Sequence, residues 1–276
     1  SGLSHTNWVG FRENVPERLD RLIGEGRMPP VVVAFPDCFT RLGGNQYINS
    51  AAMGAWEDYL LGEMVPAVER KFGCGRDGRR GVFGKSSGGY GALVHALRHA
   101  DFWAAAACHS GDMAFEWCYL PEMPGVLQSL AKAGNSIERW WRDLEGARKH
   151  PEKSGDVVNM LAMAASYDPD PSQYLGMRLP VTLETCELIQ ERWANWLRHD
   201  PVVMLETRAD NLRRLKGLYI DCGTSDQFNL LYGARRFVRR LDQLGIRHQY
   251  DEFPDNHSAV DYRMDVSLPF LAQALA

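Results

Sequence analysis

The sequence has no apolar run long enough to cross a bilayer. Its longest, Val31 to Phe35 and Phe102 to Cys108, fall far short of the ~20 residues that a spanning helix needs, so no membrane partner is expected. It also has no excess of positive charge. Lys plus Arg number 31 against 35 for Asp plus Glu, a net charge of −4 at pH 7, which removes the broad basic field of a nucleic-acid binder. Arg235, Arg236, Arg239 and Arg240 form a local cluster, but they lie off the apolar stripe of one helical run and read as its solvated face. There is no C-x-x-C pair and no Cys/His cluster at metal spacing. The six cysteines, Cys38, Cys74, Cys108, Cys118, Cys186 and Cys222, are scattered and read as free thiols of a reducing compartment. A cytoplasmic location with no metal and no cofactor is therefore expected. Repeats and low-complexity tracts are missing too. So is an initiating Met: the chain opens on Ser1-Gly2-Leu3, and an unseen natural N-terminus is expected before it.

What remains is an ordinary globular balance. In 276 residues, 45% are hydrophobic and 24% charged, enough apolar area to offset chain entropy in one or two domains. Val31 to Phe35, closed by Pro36-Asp37, is expected as a strand buried on both faces. Residues 56–71 carry helical spacing up to Gly73. Strands are expected at 81–83, 102–108, 218–222 and 247–253, with helical runs at 90–99, 230–244 and from 261 onward. Strands that alternate with helices imply a parallel sheet covered on both faces. From Gly111 to Lys216 that rhythm stops. Helices are expected there at 136–150, 156–167 and 187–199, punctuated by prolines, in a stretch much longer than a single crossover needs. The expected organisation is a core of residues 1–110 and 217–276 with a helical cap insertion at 111–216. Trp117, Trp140, Trp141, Trp193 and Trp196 all fall in the cap, where they either fill its core or line a cleft beneath it.

The main chemical signal is Gly84-Lys85-Ser86-Ser87-Gly88, a G-x-S-x-G motif between a strand and a helical run. A serine at such a turn takes a strained backbone, and small neighbours keep the adjoining segments apart. The following helix aims its N–H groups and positive dipole end at a developing oxyanion. A Walker A loop would need Gly at position 79, which is Arg79, so a phosphate cradle is rejected. An activated serine needs a base and an orienting acid. Asp226 lies on the loop after the strand at 218–222, whereas Asp221 is still within that strand. His257 lies on the loop after the next strand. His109 also follows a strand but precedes the acid, which breaks the Ser, Asp, His order. The catalytic expectation is Ser86, Asp226 and His257.

Several stretches carry a family likeness: Ser1 to Thr6, Phe35-Pro36-Asp37, Gly43 to Ser50, Gly84 to Tyr90, Asp221 to Phe228 and Asn256-His257-Ser258. The chain resembles the esterase D / S-formylglutathione hydrolase and enterochelin-esterase-like branch of the α/β-hydrolases, which includes mycolyltransferases. The resemblance implies an α/β-hydrolase fold, with the nucleophile, acid and histidine motifs falling on Ser86, Asp226 and His257. It implies an oxyanion hole from the backbone N–H of Ser87 and, on the S-G-L loop, of Leu3. The family has several β-strands before that loop, and this sequence begins at it, so those N-terminal strands are expected to be absent from the chain.

The expected activity is hydrolysis of a carboxylic ester, or a thioester, of small to medium size with an apolar or aromatic portion. A small-molecule ester is the expected partner, with a homodimer left open. The alternatives are acyl transfer to an alcohol by the same residues, as in mycolyltransferases, and S-formylglutathione hydrolysis. A non-catalytic module on the same scaffold would be expected to lose a triad member, and none is lost.

Overall fold

The structure, a computed structural model, describes residues 13–152 and 154–276. Four parallel strands lie side by side in chain order: β1 (Gly81–Lys85), β2 (Ala105–His109), β3 (Gly217–Gly223) and β4 (Gln249–Phe253). The register pairs Lys85 with His109, His109 with Asp221 and Gly223 with Phe253, so the C-terminal strand ends align along one edge. The residues of β2 are all buried, and their side chains split by parity. Ala105 and Ala107 join Tyr219 and Leu271 on one face, whereas Ala106 and Cys108 join Leu218 and Ile220 on the other. Small side chains in the middle of the sheet let both helical layers approach closely.

On the first face lie α1 (Val15–Gly24) and the C-terminal α6 (Met264–Leu275). A capping box closes the start of α1: Glu17 N donates to Asn14 Oδ1 at 2.9 Å and Asn14 N to Glu17 Oε2 at 3.0 Å. The second face carries α2 (Ser87–Arg98), α3 (Ser154–Tyr167), α4 (Pro201–Arg213) and α5 (Leu230–Gln243), all sharing one apolar core.

The sequence reading named no helix at Val15–Gly24 or Met123–Ala131, and two further departures bear on the core. Residues 31–35 form no strand. Val33 and Phe35 turn inward onto α1, α6 and Phe83, but Val31 and Val32 are 39% and 46% exposed. The run covers the flank of the sheet with one side only, so its uniform apolarity does not mean burial on both faces. The helix α4 was not anticipated either. Its buried residues, Pro201, Val202, Met204, Leu205 and Leu212, make no simple stripe, because it packs against both α2 and α5. Asn211 Nδ2 donates to Leu97 O at 2.7 Å, fastening α4 to α2.

Within 111–216, Trp140, Trp141, Trp193 and Trp196 are buried in the same core as Leu93 and Ile220, whereas Trp117 is exposed. Among the described residues no helix is long and apolar enough to cross a membrane. All six cysteines, each within the described residues, carry free thiols.

Candidate active site

Ser86 sits between β1 and α2 with φ 58° and ψ −125°. That region of backbone space is sparsely populated by any side chain, and the strain is held by its surroundings. Ser86 N donates to His109 O at 2.9 Å, and Tyr90 N returns to Ser86 O at 2.8 Å. A serine at a helix N-cap ordinarily turns its hydroxyl onto the first-turn N–H groups. Here that capping bond is missing, and at the positive φ the hydroxyl makes no hydrogen bond among the described residues. Two of the neighbouring glycines, Gly84 and Gly89, are steric requirements. A Cβ on Gly84 would lie 2.4 Å from the Gly88 backbone, and one on Gly89 would lie 2.7 Å from His109 O. Ser87 opens α2, so its N–H is among those that have no partner within the helix.

Asp226 and His257 are brought together from separate loops. His257 Nδ1 donates to Asp226 Oδ2 at 2.8 Å, in a pair only 7% and 8% exposed. The other carboxylate oxygen, Oδ1, accepts from Phe228 N at 2.9 Å and lies at the start of α5, where the helix dipole favours negative charge. Gln227 Oε1 accepts from His257 N at 3.0 Å. The two loops lie in direct contact, with Thr224 N on Phe253 O and Ser225 N on Asp255 O. A Cβ on Gly223 would lie 2.4 Å from Asp255 O, so glycine is what permits that approach. With Nδ1 committed, Nε2 of His257 makes no hydrogen bond among the described residues and keeps its lone pair for a proton. No hydrogen bond joins Ser86 to His257. Leu3, the other oxyanion candidate, lies outside the described residues.

The rejected pair has its own place. Asp221 ends within β3 and bonds His109, at the end of β2, at 2.8 Å. Sequence reasoning assigned no role to two other features. The Phe228 ring stands edge-on to His257 at 4.9 Å and is 43% exposed. Nearby, Asn229 Nδ2 reaches Trp117 O at 3.3 Å. Deeper in, Gln46 Nε2 donates to Asp112 Oδ2 at 3.2 Å and to Tyr167 OH at 2.6 Å, and Tyr119 OH donates to Asp112 Oδ2 at 2.9 Å. Burial raises the Asp112 carboxyl above the usual range, against the hydrogen bonds from Tyr119 and Gln46. These four residues come from three separate stretches of the sequence, and no local pattern announces them. Lys85, beside the nucleophile candidate, is held below the usual lysine range by burial, opposed by the charges of Asp261 and Asp226. Among the described residues no His, Cys, Asp and Glu converge as metal ligands. A cavity of about 480 Å³ between Thr40, Trp56 and Leu175 contains none of the candidate site residues, so the chemistry is not placed there.

The chain matches the family model described as Putative esterase over residues 14–268. It is 24% identical over 246 residues to the esterases Rv1288 and MT1326 of Mycobacterium tuberculosis strains, covering 83% of this chain and 42% of theirs. It thus spans under half the length of those relatives. Among solved structures it is similar to a ferulic acid esterase, with a TM-score of 0.58 at 19% identity over 95% of this chain and 77% of that one. It is also similar to MPT51 of Mycobacterium tuberculosis, with a TM-score of 0.50 at 16% identity over 87% and 80%. At such identities the structural likenesses carry the fold alone, that of the α/β-hydrolases. The family match runs through the elbow and both strand-end loops and leaves out little of the chain: the protein belongs to the Putative esterase family.

Proposed function

We propose that the protein is a serine esterase in which Ser86 is the nucleophile, His257 the general base and acid, and Asp226 the residue that orients His257. The observation that carries this reading is the buried 2.8 Å His257–Asp226 pair on the loops beside a serine whose backbone strain frees its hydroxyl. His257 Nε2 takes the Ser86 proton as Oγ attacks the ester carbonyl. The negative charge passes to the carbonyl oxygen, facing the Ser87 N–H and the α2 N-terminus. Collapse of the tetrahedral species expels the alcohol, which receives that proton from His257. Water then repeats the sequence on the acyl-enzyme and releases the acid. Leu3 supplies the second oxyanion N–H in this reading, by resemblance.

The substrate is a small to medium ester with an apolar or aromatic group, and the 111–216 segment acts as its cap. Phe228 beside His257 and the exposed Trp117 favour such a group over a charged peptide. A fluorophosphonate probe and hydrolysis of p-nitrophenyl butyrate test the reading together. Ser86→Ala should abolish labelling and reduce kcat by about 10⁴-fold or more. Labelling that persists in Ser86→Ala would move the nucleophile elsewhere, Ser87 first.

A further inference from the structure

Behind the reacting groups, on the α6 side of the sheet, lies a buried polar network that hydrolysis itself does not use. His109 Nδ1 donates to Asp221 Oδ1 at 2.8 Å, and Ser267 Oγ of α6 lies 2.8 Å from His109 Nε2. Asp221 Oδ2 accepts from Arg263 Nε at 3.0 Å and from Tyr219 OH at 2.9 Å. Arg263 Nη2 reaches Tyr219 OH at 2.8 Å and Asp251 Oδ2 of β4 at 3.0 Å, with the guanidinium 4.8 Å from the Phe253 ring centre. His109, Asp221 and Ser267 are 3%, 1% and 0% exposed, so no substrate meets them.

The two ends of this network are what give it meaning. At one end, His109 O accepts the amide of Ser86, and the same carbonyl abuts Gly89. At the other, Arg263 ends the turn Asp261–Arg263 that closes the segment carrying His257, and its N–H bonds Val260 O. Two loops from different strands must hold their reacting atoms in register, and an error of about 1 Å costs roughly 10²-fold in rate.

We propose that Arg263, acting through Asp221 and His109, is a positioning residue that locks the His257 segment to the backbone holding Ser86. This rests on the triad reading above. Its planar guanidinium bonds two carboxylates from adjacent strands at once through separate nitrogens, Nε and Nη2, a fixed fork that the single nitrogen of a lysine reproduces only in part. The relay sets alignment rather than substrate affinity.

The test compares Arg263→Met, Arg263→Lys, His109→Asn and the Arg263→Met/His109→Asn double variant with wild type and Ser86→Ala. Wild type must label with fluorophosphonate and Ser86→Ala must not; failure of that control overturns the triad reading rather than this one. Arg263→Met should label about 10²-fold more slowly, with KM for p-nitrophenyl butyrate within about twofold and the circular dichroism of a folded protein. The downfield Nδ1–H resonance of His257 should broaden, although Arg263 does not touch that ring. Arg263→Lys should recover part of the loss. Because one relay is cut, the double variant should lose little more than Arg263→Met alone. If Arg263→Met unfolds, the milder Arg263→Lys and His109→Asn still decide. Labelling at the wild-type rate, a loss that tracks the unfolded fraction, or multiplicative losses in the double variant would each overturn the proposal.

Discussion

His109 Nδ1 lies 2.8 Å from Asp221 Oδ1, and one strand over His257 Nδ1 lies 2.8 Å from Asp226 Oδ2. The two pairs have the same local geometry and opposite situations. The far nitrogen of His109 is occupied by Ser267 and buried against α6, whereas that of His257 has no partner among the described residues, with the half-exposed Phe228 alongside. A ring held at both nitrogens cannot act as a base toward an outside substrate. A ring held at one can.

The aspartates should therefore respond differently to the same substitution. Asp226→Asn presents an amide to His257, favours the wrong tautomer and should reduce kcat about 10⁴-fold. Asp221→Asn weakens alignment alone and should cost about 10²-fold. Steady-state kinetics on p-nitrophenyl butyrate compares them directly. Equal losses, or a larger one at Asp221, would reverse the assignment of the two pairs.

The elbow glycines give a second outcome. A methyl group on Gly89 would meet His109 O at 2.7 Å and the Gly111 backbone at 3.0 Å, neither of which can move as a side chain would. Gly89→Ala should destabilise the fold by roughly 1–3 kcal/mol, as overpacking does, and should slow fluorophosphonate labelling. Gly88→Ala, whose Cβ would meet nothing within 4 Å, should leave stability within about 0.5 kcal/mol. Thermal melts of the two variants make the comparison, and similar melting temperatures would contradict it.

Much of this architecture was legible in the sequence, for identifiable reasons. The strands of the sheet interior announce themselves by short apolar runs, and the elbow by glycines that its geometry demands. Asp226 and His257 could be ranked above Asp221 and His109 because a residue just past a strand end is free to reach a neighbouring loop. Other features left no local trace. Residues 31–35 look like a buried strand because apolarity says nothing of whether a hydrogen-bonding neighbour is present. The α4 helix was hidden by apolar residues distributed around it. The Arg263 clamp joins residues separated by 42 positions, and nothing in either neighbourhood marks the pairing.

Acid should weaken the protein through a cluster away from the site. Glu57 bonds both Arg98, at 2.6 Å, and His99. Burial alone would raise its carboxyl, but His99 and Arg98 outweigh it and hold it at about 2. Arg98 Nη2 also faces His199 Nδ1 at 3.2 Å, and burial together with that cation lowers His199 to about 4. Both folded values lie below the ordinary ones, so both groups contribute stability that is complete at neutral pH. The His199 share falls as pH drops from about 6.5 toward 4, and the Glu57 share from about 4.5 toward 2. Asp200 works the other way: burial raises it to about 6, so its contribution is present in acid and lost as pH rises through that value. Melting temperatures of wild type and His199→Gln between pH 7 and 4 isolate the histidine, and the two curves should converge as pH falls. Curves that stay parallel would show that His199 takes no part.

The selectivity of the site should rest partly on Phe228. Its ring is edge-on to His257 at 4.9 Å and 43% exposed, so one side supports the base and the other is available to an acyl group. An aromatic contact of this kind is worth about 0.5–1.5 kcal/mol beyond buried area, or up to about tenfold in kcat/KM. Methyl esters that keep one alcohol and vary the acid separate the two roles. Phe228→Ala should lower kcat/KM for a methyl hydroxycinnamate about tenfold more than for methyl acetate, because acetate is too small to use the ring. Phe228→Leu, which keeps apolar bulk beside His257, should restore the acetate rate but not the full aromatic preference. If Phe228→Ala slows both esters equally, the ring only braces the histidine, and selectivity must come from the 111–216 segment, with Trp117 the next residue to substitute.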